Sequence, residues 1–375
     1  MDGLRGLVKM SLDASIDAID AFLVRVPLPD VLHVFGKRIT EREFVIVRVT
    51  SGKHIGTGYG LARGLDFSPL ILKNLAPLVL HQPVGSIRAI WDAARQSVRM
   101  IGEQGYFARA LSALDIALWD LMGHVLDVPI WRLLGGKSSS VPCAAICGYY
   151  RDGDSVSALR EEVERLARAG YTRFKIPFGA DPALDNQRLQ ALRDVVGSEA
   201  VIGLDASAAY NTIAEATRAW QQVERFNPAF LEDPFSAAEW ALAIRMARET
   251  TIPIAFGESV SSPSTIQLLG GQDGVSILRP DATLQLGVTG YLQAVAPALE
   301  HHKPAFPHYY PDVHSALVGG LGGWMIEESP AEADTVGFRQ LRSEQPVISN
   351  GTWLLSEQPG FGFVLDEDML QRFRG

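Results

Sequence analysis

The chain has 375 residues, of which 47% are hydrophobic and 21% are charged, a composition that suffices to bury a large core. Its 34 basic and 43 acidic residues give a formal net charge of −9, which disfavours nucleic acids and anionic membranes as partners. No apolar run approaches the roughly 18 residues of a membrane span, and Asp13 and Asp17 interrupt the N-terminal stretch. We therefore expect a cytoplasmic protein.

The two cysteines, Cys143 and Cys147, are spaced so that both lie on one face of a strand. No His, Asp or Glu lies between or directly beside them, as a zinc site would require. We expect two buried thiols of the core.

The first third of the sequence has the pattern of an α+β domain. Residues 43–49, EFVIVRV, alternate like a strand, and the glycine-rich segment 56–60, GTGYG, predicts a turn after it. Leucines recur at helical spacing over residues 108–126. The LLGG segment at 133–136 is a candidate domain boundary.

From about Val141 onwards, short apolar runs alternate with amphipathic helices. Three helix starts are marked, by the capping-box pairs Thr212/Glu215 and Ser236/Glu239 and by Ser262 before a proline. The strand-like runs lie at 141–147, 173–176, 201–204, 229–231, 254–256, 275–278, 305–306 and 324–326. Eight strands that alternate with helices indicate an α/β fold with a closed parallel barrel.

Polar residues stand at or just beyond the carboxyl ends of successive predicted strands. A single such residue is more often a helix cap or a loop charge. A series in phase with the strand-helix repeat instead indicates groups that converge on the face where barrels hold their active sites. The members are Lys175, Asp205, Glu232, Glu258, Asp281, His308 and Glu327.

Three consecutive members of this series are carboxylates, namely Asp205, Glu232 and Glu258. Carboxylates that point into one barrel mouth repel each other unless a hard cation lies among them, and oxygen ligands suit Mg²⁺. A bound divalent ion chelates a substrate carboxylate and stabilises the dianion that forms when the neighbouring carbon loses its proton. We therefore predict a magnesium cofactor and a small-molecule carboxylate substrate.

The motifs LD, LEDP and GES around these carboxylates resemble the metal-binding triad of the enolase superfamily, and residues 109–136 are similar to the signature of its capping domain. The resemblance covers nearly the whole chain. It implies a (β/α)7β TIM-like barrel with an N-terminal α+β capping domain that C-terminal residues complete. The implied boundaries are 1–138 for the capping domain, 139–335 for the barrel and 336–375 for the returning segment.

Within the superfamily, RPDATLQLGVTGY around Asp281 and FPH at His308 resemble the mandelate racemase subgroup. That resemblance implies that Asp281 and His308 form the catalytic base and that Lys175 binds the substrate carboxylate. It also implies that Glu327 is the acid that hydrogen-bonds the developing enolate. Glu328 is adjacent, so the sequence leaves the choice between the two glutamates open.

Two positions depart from the pattern of the subgroup. Pro177 occupies the place of a second lysine base, and Ser207 stands where Asn is usual. Without the lysine, racemisation lacks its second base, whereas dehydration needs only His308. We therefore expect a carbon-oxygen lyase that dehydrates a hydroxy or sugar acid to a 2-keto acid. A racemase or epimerase, a degenerate acid-binding barrel, and an unfamiliar base such as Tyr149 or Tyr150 stay as alternatives.

The segment 31–40 resembles the capping loop that covers the active site in this family. Its His33, Lys37 and Arg38 would suit a polyhydroxylated or dicarboxylic acid, and an ordinary solvated loop is an equal alternative. The resemblance and the net charge further suggest a homo-oligomer.

Overall fold

The N-terminal part folds into an antiparallel sheet. The computed structural model describes residues 12–34, 37–136, 138–150, 155–330 and 334–374. Its first sheet has the order β1 (Ala18–Val34), β2 (Lys37–Ser51) and β3 (His54–Leu61). The predicted strand at 43–49 is confirmed, since it lies within β2.

The turn predicted at 56–60 is wrong, because these residues lie inside β3. The glycines serve close packing instead. A Cβ atom at Gly58 would lie 2.0 Å from the carbonyl oxygen of Ala113, and one at Gly56 would lie 2.2 Å from that of Ala117. Glycine in a strand interior often marks a site where another backbone approaches closely.

The helical part of the capping domain covers this sheet. Helical turns at Ser68–Leu70, Ile71–Leu75, Ala76–Val79 and Val84–Ser86 lead to α1 (Ile87–Ser97) and α2 (Tyr106–Leu126), and a short helix follows at Ile130–Leu133. The helix predicted at 108–126 is confirmed as α2, which packs against β3.

The second part of the chain alternates parallel strands with helices. The strands are β4 (Ser140–Ile146), β5 (Arg173–Pro177), β6 (Val201–Asp205), β7 (Phe230–Glu232), β8 (Ile254–Phe256), β9 (Ile277–Leu278) and β10 (Ile326–Glu328). The helices are α3 (Ser155–Arg168), α4 (Pro182–Val196), α5 (Ile213–Val223), α6 (Trp240–Glu249), α7 (Pro263–Gly270), α8 (Gly287–Glu300) and α9 (Pro311–Leu321). Both cysteines are free and buried, as predicted.

The sheet closes on itself, which confirms the predicted barrel. Strands β4 to β9 pair in chain order, and β10 pairs in parallel with β4. The strand predicted at 305–306 is reduced to a bridge between Leu278 and Ala305, because Pro304 and Pro307 have no N–H to donate. Ala305 still accepts a hydrogen bond from the backbone N–H of Trp324 at 2.9 Å, so it joins β9 to the last strand.

Two of the three predicted helix starts are confirmed. Thr212 and Glu215 form a capping box at α5, and the Ser262 hydroxyl accepts a hydrogen bond from the N–H of Thr265 at α7. The predicted cap at Ser236 is wrong, because its side chain makes no capping hydrogen bond and a 3-10 turn at Ala237–Glu239 precedes α6.

The C-terminal residues contact both parts of the molecule. Strands β11 (Ile348–Ser349) and β12 (Thr352–Leu354) extend the barrel sheet beside β4. Phe338 stacks on Tyr59 of the capping sheet with ring centroids 3.6 Å apart, and Glu367 of α10 (Glu367–Phe373) pairs with Arg48. The boundaries at 138 and 335 stay a prediction. None of the helices within the described ranges is long and apolar enough to cross a membrane.

Two aspartates of α2 join the capping domain to the rest of the chain. Asp115 accepts hydrogen bonds from the N–H of Thr289 at 2.9 Å and from its hydroxyl at 2.8 Å, at the start of α8. Asp120 accepts from the N–H groups of Thr57 at 2.8 Å and Phe361 at 2.7 Å. The capping-domain signature in the sequence therefore contains the two aspartates whose hydrogen bonds attach this domain to the rest of the chain. We call this set of hydrogen bonds the joint.

We expect Asp115→Ala to lower the free energy of unfolding by about 1–3 kcal/mol, because it leaves the buried N–H of Thr289 without an acceptor. Urea denaturation measures this change. The matched control is Asp92→Ala, which removes an exposed carboxylate paired with Arg88 and should change stability by less than about 0.5 kcal/mol. Equal effects of the two substitutions would contradict this account of the joint.

Candidate active site

The carboxyl ends of the barrel strands bring the predicted polar series together around Lys175. Its ammonium lies 3.1 Å from Asp205 Oδ2, 2.8 Å from Glu232 Oε1 and 2.7 Å from Glu327 Oε1. Burial would lower the pKa of Lys175, but these three carboxylates raise it well above its usual value. Lys175 is therefore a charged, nearly inaccessible group that lies between three strand ends.

A second buried cation, Arg279, was missed in the sequence. Its guanidinium lies 3.1 Å from Glu232 Oε1 and 3.5 Å from Glu258 Oε2, and it also pairs with Glu327. The residue follows β9 directly and stands two positions before Asp281, a spacing at which an extended chain turns both side chains the same way. That spacing is the signal in the sequence, although the RPD motif was predicted to contribute only its aspartate.

The cluster carries an excess of negative charge. Four carboxylates, those of Asp205, Glu232, Glu258 and Glu327, face the two cations Lys175 and Arg279. Burial raises the pKa of Glu232 well above its usual value, and burial raises that of Glu258 to about 7. The Oε2 atoms of both glutamates are buried and have no hydrogen-bond partner among the described residues. This donor set fits a hard divalent cation, whose two charges would balance the excess.

The described side chains do not form a preorganised metal site, since no three His, Cys, Asp or Glu side chains among them are close enough together to hold a metal ion. Lys175 explains why, because its ammonium is held by Asp205 and Glu232. A cation would compete with it for these two carboxylates. Ser207 replaces the usual Asn, and its N–H and hydroxyl both bind Asp205 Oδ1 at 2.9 Å, so this position still orients the carboxylate.

The structure distinguishes between the two adjacent glutamates of β10. Glu327 is fully buried, binds Lys175 and Arg279, and accepts a hydrogen bond from the N–H of Tyr309 at 2.7 Å. Glu328 points the other way, towards Tyr171 and Arg339. Burial alone would raise the pKa of Glu327, but Arg279 and Lys175 hold it well below its usual value. Glu327 is thus an ionised counter-ion of the cluster.

Asp281 and His308 form an oriented pair. The imidazole Nδ1 lies 3.0 Å from Asp281 Oδ2, and Nε2 lies 3.7 Å from Glu258 Oε1. Thr283 fixes the other oxygen of Asp281 through its N–H at 2.7 Å and its hydroxyl at 2.8 Å. Because an ionised Asp281 accepts the proton on Nδ1, Nε2 is left free to accept another. Tyr309 stacks on the imidazole with ring centroids 4.3 Å apart and restricts its rotation.

A cavity of about 520 Å³ opens onto this pair. Members of the predicted series line it together with two arginines and three tyrosines. The lining includes Arg42, Arg63, Tyr149, Tyr150, Lys175, Pro177, Asp205, Ser207, Glu258, His308 and Tyr309. The pair, the carboxylate cluster and the cavity therefore form one site.

Pro177 lies in the wall of this cavity, where the subgroup pattern would place a lysine base. Tyr149 is no substitute for that base. Its hydroxyl lies 2.5 Å from that of Tyr309, and burial, together with Tyr309, raises the pKa of Tyr149 well above its usual value. Burial likewise raises the pKa of Tyr150, whose hydroxyl donates to Asp185. Both phenols are protonated at neutral pH.

Among the three predicted substrate-loop residues, the structure describes the side chain of Arg38 alone. Arg38 is exposed and does not belong to the lining. The side chains of His33 and Lys37 lie outside the described residues, so their predicted contacts with substrate stay a prediction.

Comparison with known proteins identifies relatives along almost the whole chain. Residues 158–369 match the enolase C-terminal domain-like family, and residues 18–135 match the N-terminal domain of the mandelate racemase/muconate lactonizing enzyme family. An arabinonate dehydratase of Saccharolobus solfataricus is 28% identical over 353 residues, which cover 92% of this chain and 94% of the relative. An L-talarate/galactarate dehydratase of Salmonella typhimurium is 26% identical over 358 residues, covering 92% and 87%.

The fold is also shared with solved structures. A racemase from Streptomyces coelicolor, crystallised with bound magnesium, superposes with a TM-score of 0.87 at 24% identity, covering 96% of this chain and 100% of that one. The expected kind of activity and cofactor are thus found among the relatives, as dehydratases of sugar acids and as a magnesium-bound structure. The chain belongs to the mandelate racemase/muconate lactonizing enzyme family of the enolase superfamily.

Proposed function

We propose that this protein is a magnesium-dependent dehydratase of sugar acids, which removes the proton next to a carboxylate and eliminates the β-hydroxyl to give a 2-keto acid. The observation that carries the proposal is the oriented Asp281–His308 pair beside a carboxylate cluster that lacks two positive charges. The relatives named above support the substrate class, since two of them are dehydratases of sugar acids.

Asp205, Glu232 and Glu258 are the proposed magnesium ligands. They lie at or just beyond the ends of three successive strands, and two of them keep buried oxygens that have no hydrogen-bond partner among the described residues. When bound, the ion polarises the substrate carboxylate and stabilises the negative charge that develops as the α-proton leaves. The hydrogen bonds from Ser207 to Asp205 Oδ1 leave its Oδ2 as the oxygen nearest Lys175.

His308 is the proposed base and acid. Its Nε2 accepts the α-proton, and Asp281 stabilises the imidazolium that results. The same Nε2–H then protonates the departing β-hydroxyl, which leaves as water while the electrons of the carbon-hydrogen bond form the new double bond. The enol that remains rearranges to the 2-keto acid. Stacking by Tyr309 keeps the imidazole in one plane during both transfers.

Lys175 and Glu327 are proposed to act together. Lys175 lines the cavity, and its ammonium would be available to the substrate carboxylate if Asp205 and Glu232 held a metal ion. Glu327 forms ion pairs with both Lys175 and Arg279 and so keeps the two cations in position. Its predicted role as an acid stays untested, and its ionised state favours this positioning role.

The cavity wall favours dehydration over racemisation. A racemase needs groups on both faces of the reacting carbon, yet the described lining contains no histidine other than His308 and no lysine other than Lys175. Pro177 cannot transfer a proton. A purely binding protein would have no use for an imidazole whose tautomer is fixed by Asp281 and Thr283. The cytoplasmic location and the homo-oligomer stay predictions.

Metal binding is tested by thermal melts with and without Mg²⁺. We expect saturating magnesium to stabilise the protein, by about 2.7 kcal/mol at one hundred times its dissociation constant. Glu258→Gln should abolish this gain without lowering the stability of the metal-free protein, because it removes one of the surplus negative charges. The control Glu249→Gln, which alters an exposed pair with Arg245, should keep the full gain. A wild-type melt that is indifferent to magnesium would exclude the proposed site.

The reaction is tested by incubating the protein with Mg²⁺ and a panel of sugar acids and by assaying for 2-keto acids. We expect His308→Asn to lower turnover by about 10²–10⁴, the usual contribution of a general base, and to leave the stabilisation by magnesium intact. The control His301→Asn, at an exposed helix end, should keep full activity. Keto acid formation by the His308 variant, or a wild-type product with only an altered configuration, would refute the proposal.

A further inference from the structure

Two arginines of the capping domain line the cavity, and neither belongs to the carboxylate cluster. They are Arg42 on β2 and Arg63 just after β3. Lys175 and Arg279 are fully engaged by carboxylates, whereas the described residues offer no ion pair to either capping-domain arginine. At the barrel end of the cavity, carboxylates therefore neutralise the cations. On the capping-domain side, the wall carries two arginines that form no ion pair with a described residue.

Arg42 is held in position by one hydrogen bond, and the other donors of its guanidinium have no partner among the described residues. The residue is only 5% exposed, and its Nε donates to the carbonyl oxygen of Thr335 at 3.0 Å. Its two terminal nitrogens have no hydrogen-bond partner among the described residues. Burial raises the pKa of Asp334, and Arg42 counteracts that shift from a distance without a direct pair. A buried guanidinium with free donors that borders a cavity calls for an anionic partner.

Arg63 is placed by the backbone. Its φ angle of 55° is in the left-handed region, which costs a non-glycine residue about 1 kcal/mol or more. The hydroxyl of Tyr106 donates to its carbonyl oxygen at 3.3 Å and supports this conformation. The side chain is exposed and lines the cavity, and no described residue forms an ion pair with it. The strained turn therefore places an unpaired guanidinium in the capping-domain wall of the cavity.

We propose that Arg42 and Arg63 bind a second carboxylate of the substrate, at the end remote from the reacting carbon, so that the protein acts on dicarboxylic rather than monocarboxylic sugar acids. This inference rests on the proposed function, which assigns the first carboxylate to the metal and Lys175. Guanidinium groups match the planar, two-oxygen shape of a carboxylate, and their charge-assisted hydrogen bonds are the strong ones. A terminal hydroxymethyl group would leave both cations without a partner.

Calorimetry in Mg²⁺, in the His308→Asn background to prevent turnover, compares acids that differ only at the remote end. The pairs are galactarate with galactonate and glucarate with gluconate. We expect the dicarboxylate of at least one pair to bind about 10-fold tighter or more, as a charged hydrogen bond provides. Arg63→Gln and Arg42→Gln should each remove most of this preference and leave binding of the monocarboxylate unchanged.

Matched variants separate charge from folding. Arg42→Lys retains the charge in a buried position and should keep part of the preference, whereas Arg88→Gln removes an exposed capping-domain charge and should keep all of it. No preference in either pair, a preference that persists in both Gln variants, or tighter binding of a terminal phosphate ester would overturn the inference. If the dicarboxylate and the monocarboxylate of each pair bound equally and were both dehydrated, the inference about the arginines would fail and the proposed function would stand. If the dicarboxylate bound more tightly but gave no keto acid, the proposed function would fail and the inference about binding would stand.

Discussion

The arrangement of this protein depends on a charge constraint at the carboxyl end of its barrel. Parallel strands bring Asp205, Glu232, Glu258 and Glu327 into one buried space, where uncompensated carboxylates cost several kcal/mol each. Lys175 and Arg279 neutralise half of the formal charge, and burial raises the pKa values of Glu232 and Glu258, the latter to about 7. The cluster is therefore stable as a scaffold but incomplete as an electrostatic unit. That imbalance is the reason for which we propose a divalent cation at this cluster.

In the proposed function, catalysis and specificity depend on different parts of the chain that line one cavity. The barrel provides the carboxylate cluster and the Asp281–His308 pair, whose geometry is fixed by strand ends and by Thr283. The capping domain provides the arginine wall, and Asp115 anchors that domain to the start of α8. Because α8 follows directly after the segment that carries Asp281, one rigid joint relates the substrate-binding wall to the base.

The sequence was sufficient to predict the repeating strand-helix units and the local motifs. It was not sufficient where the role of a residue depends on contacts with residues that are distant in the sequence. The barrel followed from alternating runs, and the series from Lys175 to Glu327 followed from strand ends in phase. Glycines at 56–60 were misread as a turn because their reason, the approach of Ala113 and Ala117, lies in a helix some 50 residues away. Arg42 and Arg63 carried no motif, since their significance arises only when the capping sheet is placed over the barrel. The choice between Glu327 and Glu328 needed the strand register, which shows that Glu327 faces the cluster.

The central claim is that His308 alone transfers protons, from one face of the substrate. Isotope exchange in D₂O tests it most directly, with a sugar acid that binds but has no β-leaving group. The account predicts that deuterium enters the α-position with retention of configuration, and that His308→Asn stops this exchange while magnesium still binds. Exchange that persists in His308→Asn, or wild-type exchange that scrambles the configuration, would show that another group serves as a base and would contradict the account.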